Sequence, residues 1–231
     1  MEHKKWKLIL MILLLIIGVF NMVLSIGYSM FSGRMFSNSP NDNEVLGFDG
    51  NTQRPGPPGS FFSGFSESKF PVTMVEDSSV GDTEWYWSAP VTNLGADDGN
   101  EASAALSGGE ISYYAKCTNF GFNIPSGAII KGIKVTTEKQ RSGVDANIFD
   151  YEVKIIKNGS IMTTNKAAAG VYATDWTKVY YGSSTDLWGE TWTADEINYD
   201  NFGVVISVQN TGGAGNDGQI DYVSITVYYS A

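Results

Sequence analysis

The sequence predicts an all-β protein, an antiparallel β-sandwich or jelly roll, preceded by one hydrophobic N-terminal helix. Three observations carry this. After residue 70, short runs of β-branched and aromatic residues alternate with Gly, Pro, Asn and Asp turn signals. No long amphipathic pattern follows the first thirty residues, so the crossover helices of a parallel sheet are missing. The first thirty residues themselves hold an apolar run long enough to cross a bilayer.

Residues 1–27 are read as a signal-anchor or signal peptide. Lys4, Lys5 and Lys7 precede a stretch of 26 residues, 8–33, with no charged side chain. A hydrocarbon core needs about 20 helical residues. Lysines ahead and none close behind put the N-terminus in the cytoplasm and the remainder outside. Two readings stay open: an uncleaved membrane anchor over residues 6–26, or a signal peptide cut before Tyr28, with Ser25 and Gly27 as the small residues. Both export residues 34–231, as a single-pass membrane protein with an extracellular domain or as a secreted one.

Residues 28–70 read as a disordered or extended linker. Four of the seven prolines lie between residues 32 and 70, and neither apolar period is sustained there. Pro55-Gly56-Pro57-Pro58-Gly59 reads as a stiff spacer. Phe61, Phe62, Phe65 and Phe70 are costly to leave in water, which predicts that residues 60–70 dock on a β-sandwich, this chain's own or a neighbouring copy's.

Residues 71–231 are expected to form the sandwich, with at least seven strands. Residues 111–122 and 129–138 are β-rich, separated by a turn at Pro125-Ser126-Gly127 with proline in its second position, and Gly132 suggests a bulge. In 150–157 (DYEVKIIK), Tyr151, Val153 and Ile155 are expected to face in. Asn158-Gly159 predicts a primed hairpin turn into residues 160–164. Residues 177–181, 202–209 and 219–229 complete the strands; Asn216-Asp217-Gly218 reads as a turn. Thr193-Ala194-Asp195-Glu196 is a capping box for one short helix.

Composition excludes much chemistry. Fifteen basic against 25 acidic residues give a net charge of −10, the opposite of a nucleic-acid footprint. One cysteine, Cys117, allows no intrachain disulfide and no cysteine-rich zinc site. One histidine, His3, removes histidine-based triads and multi-histidine metal sites. Paired carboxylates such as Glu190 with Asp195 or Glu196 are the catalytic chemistry left, and nothing in their spacing marks a cleft. The expectation is no enzyme and no small-molecule substrate.

The segment FGFNIPSGAIIKGIKV, Trp176 ahead of Tyr181-Gly182, DLWG, the pattern T-x-x-(D/E)-IN-x-x-x-FGV and the closing IDYVSITVYY together resemble a jelly-roll-like domain. That domain recurs in phage tail and virion proteins and in secreted or surface proteins of bacteria and archaea. The resemblance covers residues 85–229 and nothing before them. It marks scaffold positions, so it implies a fold and a setting but no catalytic residues. The anchor-like N-terminus departs from the phage tail case and favours a cell surface.

Two candidate ligand sites follow. The acidic loop containing Asp97, Asp98 and Glu101 offers oxygen ligands that suit Ca²⁺, without the spacing of a helix-loop-helix calcium loop; its plainer reading is a solvated turn. Trp85 and Trp87 would share a strand face, either as a platform for sugar rings or as core. Trp188 and Trp192 are expected to plug a sandwich end, and Cys117 to be a small buried hydrophobe. Asn158-Gly159-Ser160 is a glycosylation sequon, more simply a turn. The leading reading is a non-enzymatic surface or virion structural protein, membrane-tethered and self-assembling; the alternative is a glycan-binding module using exposed aromatics, with or without calcium.

Overall fold

A computed structural model of the chain describes residues 64–143, 147–213 and 215–230. The expected membrane segment at residues 6–26, and Phe61 and Phe62, lie outside the described residues. Among the described residues no helix is long and apolar enough to cross a membrane.

Among the described residues ten strands form two antiparallel five-stranded sheets. The first sheet contains β1 (Phe65–Lys69), β3 (Ala102–Leu106), β5 (Ile129–Arg141), β8 (Thr177–Gly182) and β10 (Asn216–Ser230). Its order is β1-β10-β5-β8, and β3 pairs with the first half of β10 while β1 pairs with the second. The second sheet runs β2-β4-β9-β6-β7. Its strands are β2 (Thr73–Asp77), β4 (Tyr114–Thr118), β6 (Ile148–Lys157), β7 (Ser160–Asn165) and β9 (Gly203–Asn210). The chain crosses between sheets at nearly every step, and only the β6–β7 hairpin stays in one. The result is a jelly-roll-like sandwich, the architecture the sequence predicts.

Its core lies between the sheets. Ile133 and Val135 from β5 and Val223, Ile225 and Val227 from β10 meet Val153 and Ile155 from β6 and Val204, Ile206 and Val208 from β9, all buried. Phe120, Phe122, Trp192 and Phe202 close one part of it, with the Trp192 and Phe202 rings edge-to-face at 5.4 Å. Trp188 is fully buried and donates its ring N–H to the Ile133 carbonyl. Cys117 is buried with no sulfur partner, and burial pushes its thiol up to about 12.

Several local expectations change. The linker is expected to run to residue 70 with residues 60–70 docking on a β-sandwich; of these, Phe65–Lys69 docks on this chain's own, as a strand on the edge of β10, because β10 is long enough to take two short partners end to end. In the turn at Pro125, Ala128 N–H donates to the Pro125 carbonyl, so proline is first in the turn; Gly127, third, takes the positive φ. Asn216-Asp217-Gly218 opens β10 opposite β3 and is no turn. A Cβ on Gly218 would stand 3.1 Å from Val208 and 3.2 Å from Ile148, so glycine lets the strand lie close on the core. A bulge between Asp150 and Glu152 interrupts the alternation of β6. Asp150 therefore faces the core beside Val153 and Ile155, and Tyr151 is only half-buried. The Asn158-Gly159 turn has positive φ at both residues, as a primed turn requires. The register shift of β5 against β10 falls beside Gly132.

Candidate functional site

The outward side chains of the first sheet make one continuous surface. Alternation along β10 turns Tyr222, Ser224, Thr226 and Tyr228 outward while Val223, Ile225 and Val227 fill the core. Pairing places Lys134, Thr136 and Glu138 of β5 beside them, and Lys178 and Tyr180 of β8 beyond. On the other side, β1 adds Ser66 opposite Tyr228 and Ser68 opposite Thr226, and the Thr226 hydroxyl donates to Ser68 Oγ at 3.2 Å.

The aromatic rings on this face are held by cations. Lys134 Nζ lies 5.4 Å from the centre of the Tyr180 ring and 5.9 Å from that of Tyr228. Lys178 Nζ lies 5.4 Å from the Tyr222 ring, against which Phe70 packs edge-on at 5.8 Å. Tyr180 is 58% exposed. Between the rings run hydroxyls, of which Thr136 and Ser224 are nearly covered by their longer neighbours. Tyr222 itself is buried under Phe70 and Lys178, so the open part of the face runs over Thr226, Tyr228, Lys134 and Tyr180.

An acidic patch lies at the Tyr222 end of this face. Asp97, Glu138 and Asp221 bring one carboxylate oxygen each to within 4.8 Å of one another. Asp221 is the extra residue where the register with β5 shifts, and it is buried. Its Oδ1 accepts from Gly99 N–H at 3.0 Å. Burial first, and then the charges of Asp97, Asp98 and Glu138, hold its carboxyl above the usual range despite that bond. Lys178 approaches Asp97 at 3.4 Å. Of the loop expected to gather oxygen ligands, only Asp97 takes part. Asp98 accepts from Asn100 N–H in its own turn, and the Glu101 carboxylate accepts from Gln219.

Trp85 and Trp87 do not share a face, because no strand forms there: Ala89 N–H donates to Tyr86 O in a turn. Trp85 is buried and donates its ring N–H to Tyr113 O, whereas Trp87 is 90% exposed. Phe65 stacks on Tyr229 at 5.6 Å and stays half-exposed, as does Phe70. Glu190 and Glu196 both lie 3.6 Å from Lys157 Nζ, and Glu196 closes the capping box of α1 (Ala194–Asn198). They serve as structural partners of a lysine. The sheet face escaped the sequence reading, although its signal was there: Ser224, Thr226 and Tyr228 alternate with the apolar run of the last strand.

No protein-family model and no curated protein matches this sequence. Among the solved structures to which the chain is similar are the following two. One, described as "CBM4 structure and function", is 13% identical with a TM-score of 0.32, over 56% of this chain and 85% of that one. The other, the CBM22-1 xylan-binding domain from Paenibacillus barcinonensis Xyn10C, is 11% identical with a TM-score of 0.35, over 73% of this chain and 97% of that one. Superpositions this loose carry no argument about function.

Proposed function

We propose that this protein is a non-catalytic glycan-binding module, exported and tethered by its N-terminal segment, with the glycan lying along the outer face of the first sheet. The observation that supports it is the row Tyr228–Lys134–Tyr180, in which two outward rings are fixed by one cation beside a strip of Ser and Thr hydroxyls. Sugar rings present apolar C–H faces and a rim of hydroxyls, so a surface that alternates aromatic planes with small hydrogen-bonding groups matches both.

The test is a glycan array followed by titration of the hits. Tyr180→Ala and Tyr228→Ala are each expected to weaken binding at least tenfold, about 1.4 kcal/mol, while Trp87→Ala leaves it unchanged. A blank array, or hits that survive both tyrosine substitutions, would overturn this reading.

A second reading, a self-assembling surface or virion component, is favoured by one observation. Phe65, Phe70, Val72 and Val75 are exposed in and beside the edge strands β1 and β2, where another copy could add.

A further inference from the structure

We propose that Lys139 and Asp150 condense to an amide, an isopeptide bond that ties the two sheets together through the core. Lys139 is the inward residue after Val135 and Thr137 on β5, and Asp150 faces it from β6 across the sandwich. Each is only 4% exposed. Lys139 Nζ lies 2.8 Å from both carboxylate oxygens.

The surroundings suit condensation as well as pairing. Tyr172 OH donates to Asp150 Oδ1 at 2.6 Å, and Tyr181 OH and Ala168 N–H both donate to Oδ2 at 2.9 Å. These donors polarise the carboxyl carbon toward attack and stabilise the charge that develops on oxygen. Tyr181 OH also accepts from Lys139 Nζ at 2.9 Å, so one hydroxyl bridges the attacking nitrogen and a departing oxygen. The Tyr172 ring lies 4.1 Å from Nζ and seals the amine from water. Burial lowers the Lys139 ammonium below its usual range despite the carboxylate beside it, which favours the neutral amine.

The step balances without any co-reactant. One ammonium proton passes to the carboxylate, leaving an amine and a carboxylic acid. The Nζ lone pair attacks Cγ and a C–N bond forms. A second proton moves from nitrogen to the acid hydroxyl through Tyr181 OH. The C–O bond then breaks and that oxygen leaves as water, with one hydrogen remaining on the amide nitrogen. Fixed proximity replaces the bimolecular encounter that makes amide formation slow in solution.

Intact-mass spectrometry of the full chain tests this. The wild type is expected to be lighter than its sequence by one water, about 18 Da, and Lys139→Arg, whose guanidinium is no nucleophile, to lack that deficit. Comparing the two cancels any processing of the N-terminus. Fragmentation of the tryptic product spanning residues 135–154 is expected to show a branch joining 139 to 150. A wild type at full sequence mass would overturn the proposal. So would a deficit that persists in Lys139→Arg, which would place the lost water at an Asp-Gly pair such as Asp98-Gly99 or Asp217-Gly218.

Discussion

Asp221 is a carboxylate that the fold holds against its preference. Burial and the neighbouring Asp97, Asp98 and Glu138 raise its carboxyl, and only the Gly99 N–H opposes them. A carboxyl raised in the folded state makes ionisation unfavourable to folding. The penalty is present at pH values above the folded value and vanishes below the unfolded one, near 3.9. Asp221→Asn keeps an oxygen for Gly99 and removes the charge. It is expected to raise Tm at pH 7 by about 2–4 °C, with the gain fading below about pH 4, as thermal unfolding monitored across pH would show. Neither this residue nor the Lys139–Asp150 pair was legible in the sequence, because both depend on strand irregularities. The bulge after Asp150 turns an expected outward residue into a core one, and the register shift at Asp221 does the reverse on β10, setting beside Asp97 and Glu138 a residue that alternation with Val223 and Ile225 would turn inward. Trp85 and Trp87 failed for a related reason: alternation orients side chains only where a strand exists.

At the scale of elements, what was legible is what local chemistry decides. The capping box is formed as read: Thr193 Oγ1 accepts from Glu196 N–H, and the Glu196 carboxylate accepts from Thr193 N–H. The Asn158-Gly159 hairpin followed from the same kind of signal. By contrast β3 (ASAAL) carries no β-branched or aromatic residue, and pairing along the first half of β10 makes it a strand; the phenylalanines signalled that the segment holding β1 docks, but FSESK did not mark it as a regular strand. Burial raises the Glu196 carboxyl, but the Thr193 N–H and hydroxyl, the Asn158 amide and the Lys157 charge outweigh it and leave it below its usual range. Its contribution to stability is therefore present above the unfolded value, near 4.3, and is lost as pH falls through the lower folded value. Thr193→Ala is expected to cost about 1 kcal/mol in urea unfolding at pH 7. Glu196→Gln should destabilise at pH 7 and approach the wild type in acid, whereas a gap independent of pH would assign its role to shape alone.

For the molecule as a whole, the open question is what closes the edge of the first sheet. Beyond the five residues paired with β3, β10 has β5 on one side and β1 on the other. β1 is held by five register pairs, the Phe65–Tyr229 stack and the Phe70–Tyr222 contact, and none of its five residues is buried. Ordering a residue costs about 1–2 kcal/mol of backbone entropy, and burying a phenylalanine returns about 1.5–3 kcal/mol, so a strand with half-exposed rings is only marginally held. Removing it leaves the second half of β10 with unpaired backbone groups, a template for another chain. A fragment of residues 56–231 is thus expected to fold as an all-β monomer. A fragment starting at residue 71 should melt several degrees lower and associate as its concentration rises, and a peptide of residues 60–70 should reverse that association. Sedimentation velocity on both fragments, with and without the peptide, measures this. Equal melting and a monomeric shorter fragment at all concentrations would show that β1 is dispensable and that the bared edge of β10 recruits no second copy.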